Sequence, residues 1–185
     1  MTPQPSPVKK LLSTPAACVL LLLLSACADG SSPTQPSVAA PAAQRISLEG
    51  EPGSGDGHVL ERARASGGRT IHLGPGERRQ WVFAVHAQEA AYSIAMTYSN
   101  GEEGELETIS VHIDGVLARS FQDRNTGDAS EGWNTFVSDP VGAVTLKSGS
   151  HTLVLEVAGG DGCVEVDLVT LSPAIELTSS VPPSS

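Results

Sequence analysis

The chain has 185 residues, 17% charged and 4% aromatic, with 19 glycines and 13 prolines, which favours a turn-rich all-β domain over a helical one. Its net charge of −10 excludes a nucleic-acid binder, because phosphate contacts need a basic surface. The carboxylates can instead serve solubility or hold a hard cation.

Lys9 and Lys10 precede an apolar run from Leu11 to Leu24, followed by small residues. A basic segment, an apolar segment and small residues describe an export signal. Leu24-Ser25-Ala26-Cys27 resembles the lipobox of bacterial lipoproteins at all four positions. The resemblance implies that residues 1–26 are a lipoprotein signal peptide and that Cys27 is the lipidation site. Two or three acyl chains on Cys27 anchor a protein to a membrane stably, where one is marginal. An ordinary signal peptide or an uncleaved anchor is the alternative reading. Cleavage before Cys27 leaves nine basic against 21 acidic residues, a net of −12. Ala28, rather than Asp, after the cysteine points to the outer membrane if the host is Gram-negative. With Cys18 in the signal and Cys27 acylated, Cys163 is the remaining cysteine, and the mature chain is expected to form no intramolecular disulfide. Cys163 reads as a small, partly buried strand residue; the alternative, a reactive thiol, lacks a basic neighbour in sequence to lower its pKa.

Residues 27–44 are Ser, Pro, Ala, Thr and Gln-rich, a flexible tether without a core. Residues 45–172 form the domain, and residues 173–185 read as a disordered tail. Short strands are predicted at 45–49, 58–63 and 69–73. Trp81, Phe83 and Val85 then alternate on one strand, and Tyr92, Ile94, Met96 and Tyr98 on another. Ile109, Val111 and Ile113 alternate ahead of an Asp114-Gly115 turn, across which residues 116–121 pair back as a hairpin. After Trp133 come strands at 135–137 and 143–146. A closing hairpin is expected from Lys147 to Leu171, its turn at Gly159-Gly160-Asp161-Gly162. The Gly101–Glu107 run reads as a solvated loop. About ten short strands without an amphipathic helix predict an antiparallel two-sheet β-sandwich of jelly-roll type.

The order of pieces carries a family resemblance: Ile46-Ser-Leu-Glu49-Gly-Glu51, Ala65-Ser-Gly-Gly68, Trp81-Val-Phe-Ala-Val, and Ala91-Tyr-Ser-Ile-Ala-Met-Thr-Tyr-Ser-Asn100. Ile109-Ser-Val-His-Ile-Asp-Gly115, Gly132-Trp133-Asn-Thr, Val144 to Leu153 and Val166-Asp167-Leu168 follow. Together they resemble the carbohydrate-binding modules of families 6 and 35, galactose-binding-like β-sandwiches usually appended to glycoside hydrolases. The resemblance implies a structural Ca²⁺ on Glu49, Glu51 and Asp167. Alternate residues of a strand face the same way, first and last strands of a sandwich are often neighbours, and Ca²⁺ takes several oxygens. Three solvated carboxylates are the alternative. It also implies a glycan site in which Trp133 stacks on a sugar while Asn100 and Glu165 bond its hydroxyls. Trp133 as a core residue is the alternative, whereas Trp81, mid-strand among apolar alternates, reads as core. Two departures stand out. No Tyr or Trp follows Gly68, where the family often carries a second aromatic, and Glu165 occupies a position where it often has Asn.

His58, His72, His86, His112 and His151 are scattered and form no catalytic motif, so no enzyme is expected. The reading is a non-catalytic, lipid-anchored module of the cell envelope that binds polysaccharide, beside a separate glycoside hydrolase or envelope protein. A structural or protein-interaction sandwich that has lost sugar binding is the alternative.

Overall fold

Nine strands in antiparallel pairing follow from the alternating pattern. They are β1 (Ile46–Glu49), β2 (Ser54–Gly55), β3 (His58–Glu61), β4 (Arg69–Leu73), β5 (Arg78–Ser99), β6 (Thr108–Ile113), β7 (Val116–Gln122), β8 (Val137–Gly159) and β9 (Val164–Pro173). A 3-10 turn at Ser66–Gly68 and a one-turn helix, α1 (Ala129–Gly132), complete the described elements. The structure is a computed structural model that describes residues 41–101, 105–160 and 162–174. These fall in one compact unit that begins at Val38. The export signal, Cys27 and the tail from 175 onward lie outside the described residues. Among the described residues no helix is long and apolar enough to cross a membrane.

The ladder runs β3-β4-β9-β5-β8-β6-β7, with β1 beside β9 and β2 beside β5. Two strands exceed twenty residues where several short ones were expected, because hydrogen bonding continues through their irregularities. In β5, Arg78–Val85 pairs with Gly149–Glu156 of β8, and Glu89–Tyr98 pairs with Val137–Lys147. The register shift between Val85 and Glu89 flips the buried set from odd residues (Trp81, Phe83, Val85) to even ones (Tyr92, Ile94, Met96, Tyr98). Each long strand therefore contributes to both layers. One layer holds β2, β6, β7 and the first part of β5; the other holds β1, β3, β4, β9 and the second part. The inward residues of both merge in one core that includes Trp81, Phe83, Ile94, Met96, Val111, Leu155 and Val166.

The hairpin at Asp114-Gly115 forms as expected, with φ of 51° and 78°, the left-handed pair of a type I′ turn. The closing hairpin does not. The second part of β8 pairs with β5 and β6, whereas β9 pairs with β1, β4 and β5. The glycine turn is an arch that carries the chain from one layer to the other. Arch and hairpin share the same alternation and the same turn residues, so the sequence pattern does not separate them.

Strands β4 and β1 line the same edge of β9 end to end: Ile71 pairs with Val166, and Glu49 with Leu168. Asp167 stands at the junction, where its carbonyl accepts the Gly50 N–H at 2.8 Å. A Cβ on Gly50 would lie 2.4 Å from the Val166 carbonyl oxygen, so only glycine lets β1 close this gap.

Candidate functional site

The junction along β9 collects the three predicted metal ligands. Glu49 ends β1, Glu51 lies in the turn just beyond it, and Asp167 comes from β9. Ser66 binds two of them, its N–H donating to Asp167 Oδ1 at 2.8 Å and its hydroxyl to Glu49 Oε1 at 3.1 Å. Arg69 Nε lies 3.3 Å from Glu51 Oε1. The inner oxygens, Glu49 Oε2 and Glu51 Oε2, are buried without a hydrogen-bond partner. Burial, and then the charges of Glu49 and Glu51, push the Asp167 carboxyl up to about 6. Buried carboxylate oxygens without partners, beside a carboxyl that resists ionising, are a donor set whose chemistry suits a hard, oxygen-seeking ion. Among the described residues, however, no three His, Cys, Asp or Glu side chains are drawn together closely enough to hold a metal as they stand.

The turn carrying Glu51 is held from below by two residues that the sequence presents only as strand positions. Buried Arg79 donates to the carbonyls of Gly50 (3.3 Å), Glu51 (2.6 Å) and Asp56 (3.3 Å). Trp81, a core residue as expected, donates its indole N–H to the Glu49 carbonyl at 2.6 Å.

Trp133 follows α1 and is half-buried rather than part of the core. Its loop is clamped at several points. Ser99 Oγ donates to the Trp133 carbonyl at 3.3 Å, and the Thr126 hydroxyl reaches the carbonyls of Gly132 (2.8 Å) and Asn100 (2.9 Å). Gly132 packs so closely that a Cβ would sit 2.2 Å from the Gly127 oxygen and 2.6 Å from Gly101 Cα.

Four polar residues lie in register across four strands, His58 (β3), His72 (β4), Glu165 (β9) and Ser99 (β5), and two of them, His72 and Ser99, meet Trp133. The His72 ring lies 6.0 Å from that of Trp133 at an angle of 50°, and 4.6 Å from the ring of His58. Glu165 is only 1% exposed. It accepts two N–H groups of Arg62, one at 2.7 Å, and the Thr70 hydroxyl at 2.9 Å, while His72 Nδ1 lies 3.7 Å away. Burial pushes its carboxyl up, but the neighbouring His72 imidazole and the hydrogen bonds from Arg62 and Thr70 outweigh this and hold it below the usual carboxylate range. Glu165 thus lies beneath the surface as an anchor, with its oxygens already engaged.

Asn100 is also turned inward. It is 2% exposed, and its amide N–H₂ donates to Glu107 Oε2 at 2.5 Å and Asp123 Oδ2 at 2.9 Å. Asp123 Oδ1 accepts the Glu107 N–H at 2.9 Å, and Glu107 Oε1 accepts the Gly162 N–H at 3.0 Å. Glu107 is fully buried, which corrects the reading of Gly101–Glu107 as a solvated loop at its last residue; residues 102–104 lie outside the described residues. Burial, reinforced by Asp123, pushes the Glu107 carboxyl up to about 7, and burial raises that of Asp123. This buried pair ties together the segments at 100, 107, 123 and 162.

Of the six predicted site residues in the domain, Glu49, Glu51 and Asp167 meet at one corner, while Trp133 and Glu165 share another face, linked by His72. Asn100 belongs to neither group. Arg62, His58, His72 and Thr126 escaped the sequence reading because cross-strand register is not written in local pattern. The one available signal was an imidazole, His72, shortly after the Gly67-Gly68 turn, where a Tyr or Trp was sought.

The comparisons agree with this architecture. No curated protein sequence matches the chain. Among solved structures, a family 35 carbohydrate binding module from Clostridium thermocellum superposes with a TM-score of 0.57 at 19% identity, covering 71% of this chain and 100% of that one. A family 35 module from an environmental isolate gives 0.54 at 18% identity, covering 70% and 97%. The exo-beta-1,3-galactanase of Phanerochaete chrysosporium gives 0.56 at 21% identity, covering 71% of this chain but only 30% of that enzyme. These likenesses establish the β-sandwich fold. The family model for carbohydrate binding module (family 6) matches residues 52–173. Since that range is well over half of the sequence, the chain belongs to the family 6 carbohydrate-binding modules.

Proposed function

We infer that this module binds polysaccharide on the Trp133 face, held away from a bacterial membrane by a lipid anchor at Cys27. The observation that carries the reading is the state of Trp133. Its loop is fixed by Ser99, Thr126 and the close approach of Gly132, yet Trp133 keeps part of its surface exposed, with the His72 ring 6.0 Å from its own. A rigid aromatic face beside hydrogen-bonding groups suits the C–H face of a sugar. Glu165 and Asn100 have supporting roles: Glu165 holds Arg62 and His72 beneath the face, and Asn100 fixes the loop through the Glu107–Asp123 pair. The domain itself is non-catalytic, and it would serve a glycoside hydrolase or an envelope protein that acts on the same polysaccharide.

Glu49, Glu51 and Asp167 would hold a structural Ca²⁺, supported by the two orphaned oxygens. The ion would neutralise the corner where β1 meets β4 and lock the first strand onto the last. Of the residues present, Ser66 orients Asp167 and Glu49, while Arg79 and Trp81 fix the carbonyls around Glu51.

One observation favours the alternative of an envelope protein-interaction sandwich without sugar binding. Both polar residues expected to meet the sugar, Asn100 and Glu165, are buried and engaged internally. Affinity electrophoresis in gels containing xylan, β-1,3-galactan or β-1,4-mannan separates the two. Retardation of the wild type, lost in Trp133→Ala with unchanged unfolding temperature, supports the binding module. No retardation of the folded protein in any gel supports the alternative. The anchor is tested by palmitate labelling in a bacterial host, which Cys27→Ser should abolish; unchanged labelling would refute it.

A further inference from the structure

We propose that the buried Glu107–Asp123 pair is a proton-operated latch on the Trp133 loop: with one proton between them the two carboxyls hold the loop closed, and loss of that proton releases it. The inference adds regulation to the Trp133 face and rests on that reading for the sugar binding it regulates.

Three observations carry it. First, the pair is shut away from water with its oxygens engaged. Glu107, Asp123 and Asn100 are all buried. Asn100 Nδ2 donates to Glu107 Oε2 and Asp123 Oδ2, the Glu107 N–H to Asp123 Oδ1, and the Gly162 N–H to Glu107 Oε1. The two carboxyls also hydrogen-bond each other. Two carboxylates have no donor to share, so that bond needs a proton on one of them. Second, the charges around the pair do not favour a second ionisation. Arg124, next to Asp123 in sequence, commits its guanidinium to Asp139, whose other oxygen accepts the Tyr98 hydroxyl at 2.7 Å. Glu105, two residues before Glu107, is a further acid. Fully ionised, the pair would place two negative charges on one buried amide, a state that opening to water relieves.

Third, a chain of contacts leads from the pair to Trp133. Asn100 and Thr126 are bonded both ways, the Thr126 N–H donating to the Asn100 carbonyl at 2.7 Å and the Asn100 N–H to the Thr126 hydroxyl at 3.0 Å. That hydroxyl donates to the Gly132 carbonyl at 2.8 Å, and Gly132 backs onto Gly101 so closely that a Cβ would sit 2.6 Å from Gly101 Cα. A displacement of Asn100 and Gly101 is therefore passed to the backbone that bears the indole. Burial and Asp123 raise the Glu107 carboxyl to about 7, against 4.5 for an ordinary one, so rising pH favours the open loop. By linkage, a sugar that binds the closed loop takes up a proton.

The test titrates the protein with whichever of xylan, β-1,3-galactan or β-1,4-mannan it binds most tightly, from pH 5.5 to 8.5. Wild-type affinity should fall about tenfold, the scale of coupling between two sites, with its midpoint near 7. Imidazoles also respond to pH, and His58 and His72 stand near Trp133. Glu107→Gln keeps both histidines and should bind equally at the two ends of the range. Asp123→Asn, which removes the neighbouring charge, should move the midpoint to lower pH. A readout without sugar comes from NMR: the Gly101 and Gly132 amide resonances should move together with pH in the wild type and stay in place in Glu107→Gln. If wild-type affinity does not change with pH, if Glu107→Gln loses affinity as the wild type does, or if those amides do not move, the latch is overturned and the Trp133 reading stands. If the folded wild type binds none of the three polymers at any pH, the Trp133 reading falls, while movement of the amides in the wild type alone still supports the latch.

Discussion

Replacing Glu107 by glutamine should remove a pH-dependent weakness built into the fold. Glu107 is fully buried against Asp123, which pushes its carboxyl from the ordinary 4.5 up to about 7. Below pH 4.5 the group is protonated whether the chain is folded or unfolded. Between 4.5 and about 7 the unfolded chain gives up this proton while the folded chain keeps it, so folding becomes less favourable as pH rises. Above about 7 both forms are ionised and the loss is complete. At about 1.4 kcal/mol per pH unit over that interval, the loss amounts to about 3.5 kcal/mol. In Glu107→Gln the side-chain amide has no proton to lose and keeps an oxygen for the Gly162 N–H. Urea unfolding of both proteins at pH 5, 6, 7 and 8 measures the difference directly, and titrating groups outside the Glu107–Asp123 pair cancel between them. The variant should gain on the wild type by about 3 kcal/mol between pH 5 and pH 8. Parallel stability profiles would refute the claim that the buried pair retains a proton near neutrality.

Three further outcomes are expected. Calcium at a hundredfold excess over its dissociation constant should stabilise the protein by about 2.7 kcal/mol and raise the unfolding midpoint. Asp167→Asn should abolish that response, and a wild type whose midpoint ignores calcium and chelator alike would contradict the metal corner. The two tryptophans should separate by stability. Trp81→Ala should cost about 3–5 kcal/mol as a core deletion, whereas Trp133→Ala should cost far less, and equal losses in chemical unfolding would place Trp133 in the core after all. Gly132→Ala should weaken glycan binding in electrophoretic titrations, because its Cβ would fall 2.2 Å from the Gly127 oxygen and displace the loop that carries Trp133; unaltered binding would show that the loop position does not matter.

Alternation along β5 and β6 made those strands and most of their buried faces legible, because one-sided burial imposes a period of two, whereas β9 is buried on both faces. The pairing of β1 with β9 was also within reach, since closing a sandwich commonly brings the first and last strands together. The partners of the remaining strands were not. A glycine turn between two alternating segments fits a hairpin and an arch equally, and only the ladders of β8 and β9 show that the chain crosses between layers here. The same limit hid the sites. His58, His72 and Glu165 lie far apart in the chain, and a register across three strands brings them into one row. The burial of Glu107 was hidden for a different reason. Polar residues in a glycine-rich loop read as solvated, yet here Asn100 and Asp123 supply the hydrogen bonds that allow Glu107 to be buried.

The most direct test of the central claim is glycan-array binding of the purified protein, with Ca²⁺ and with chelator. The account predicts binding to a defined set of saccharides in calcium, reduced by chelator as the corner at Glu49, Glu51 and Asp167 loosens the sheet edge beside the Trp133 face. Absence of binding in both conditions, by protein shown to be folded, would contradict it and leave the Trp133 face as a surface for another protein.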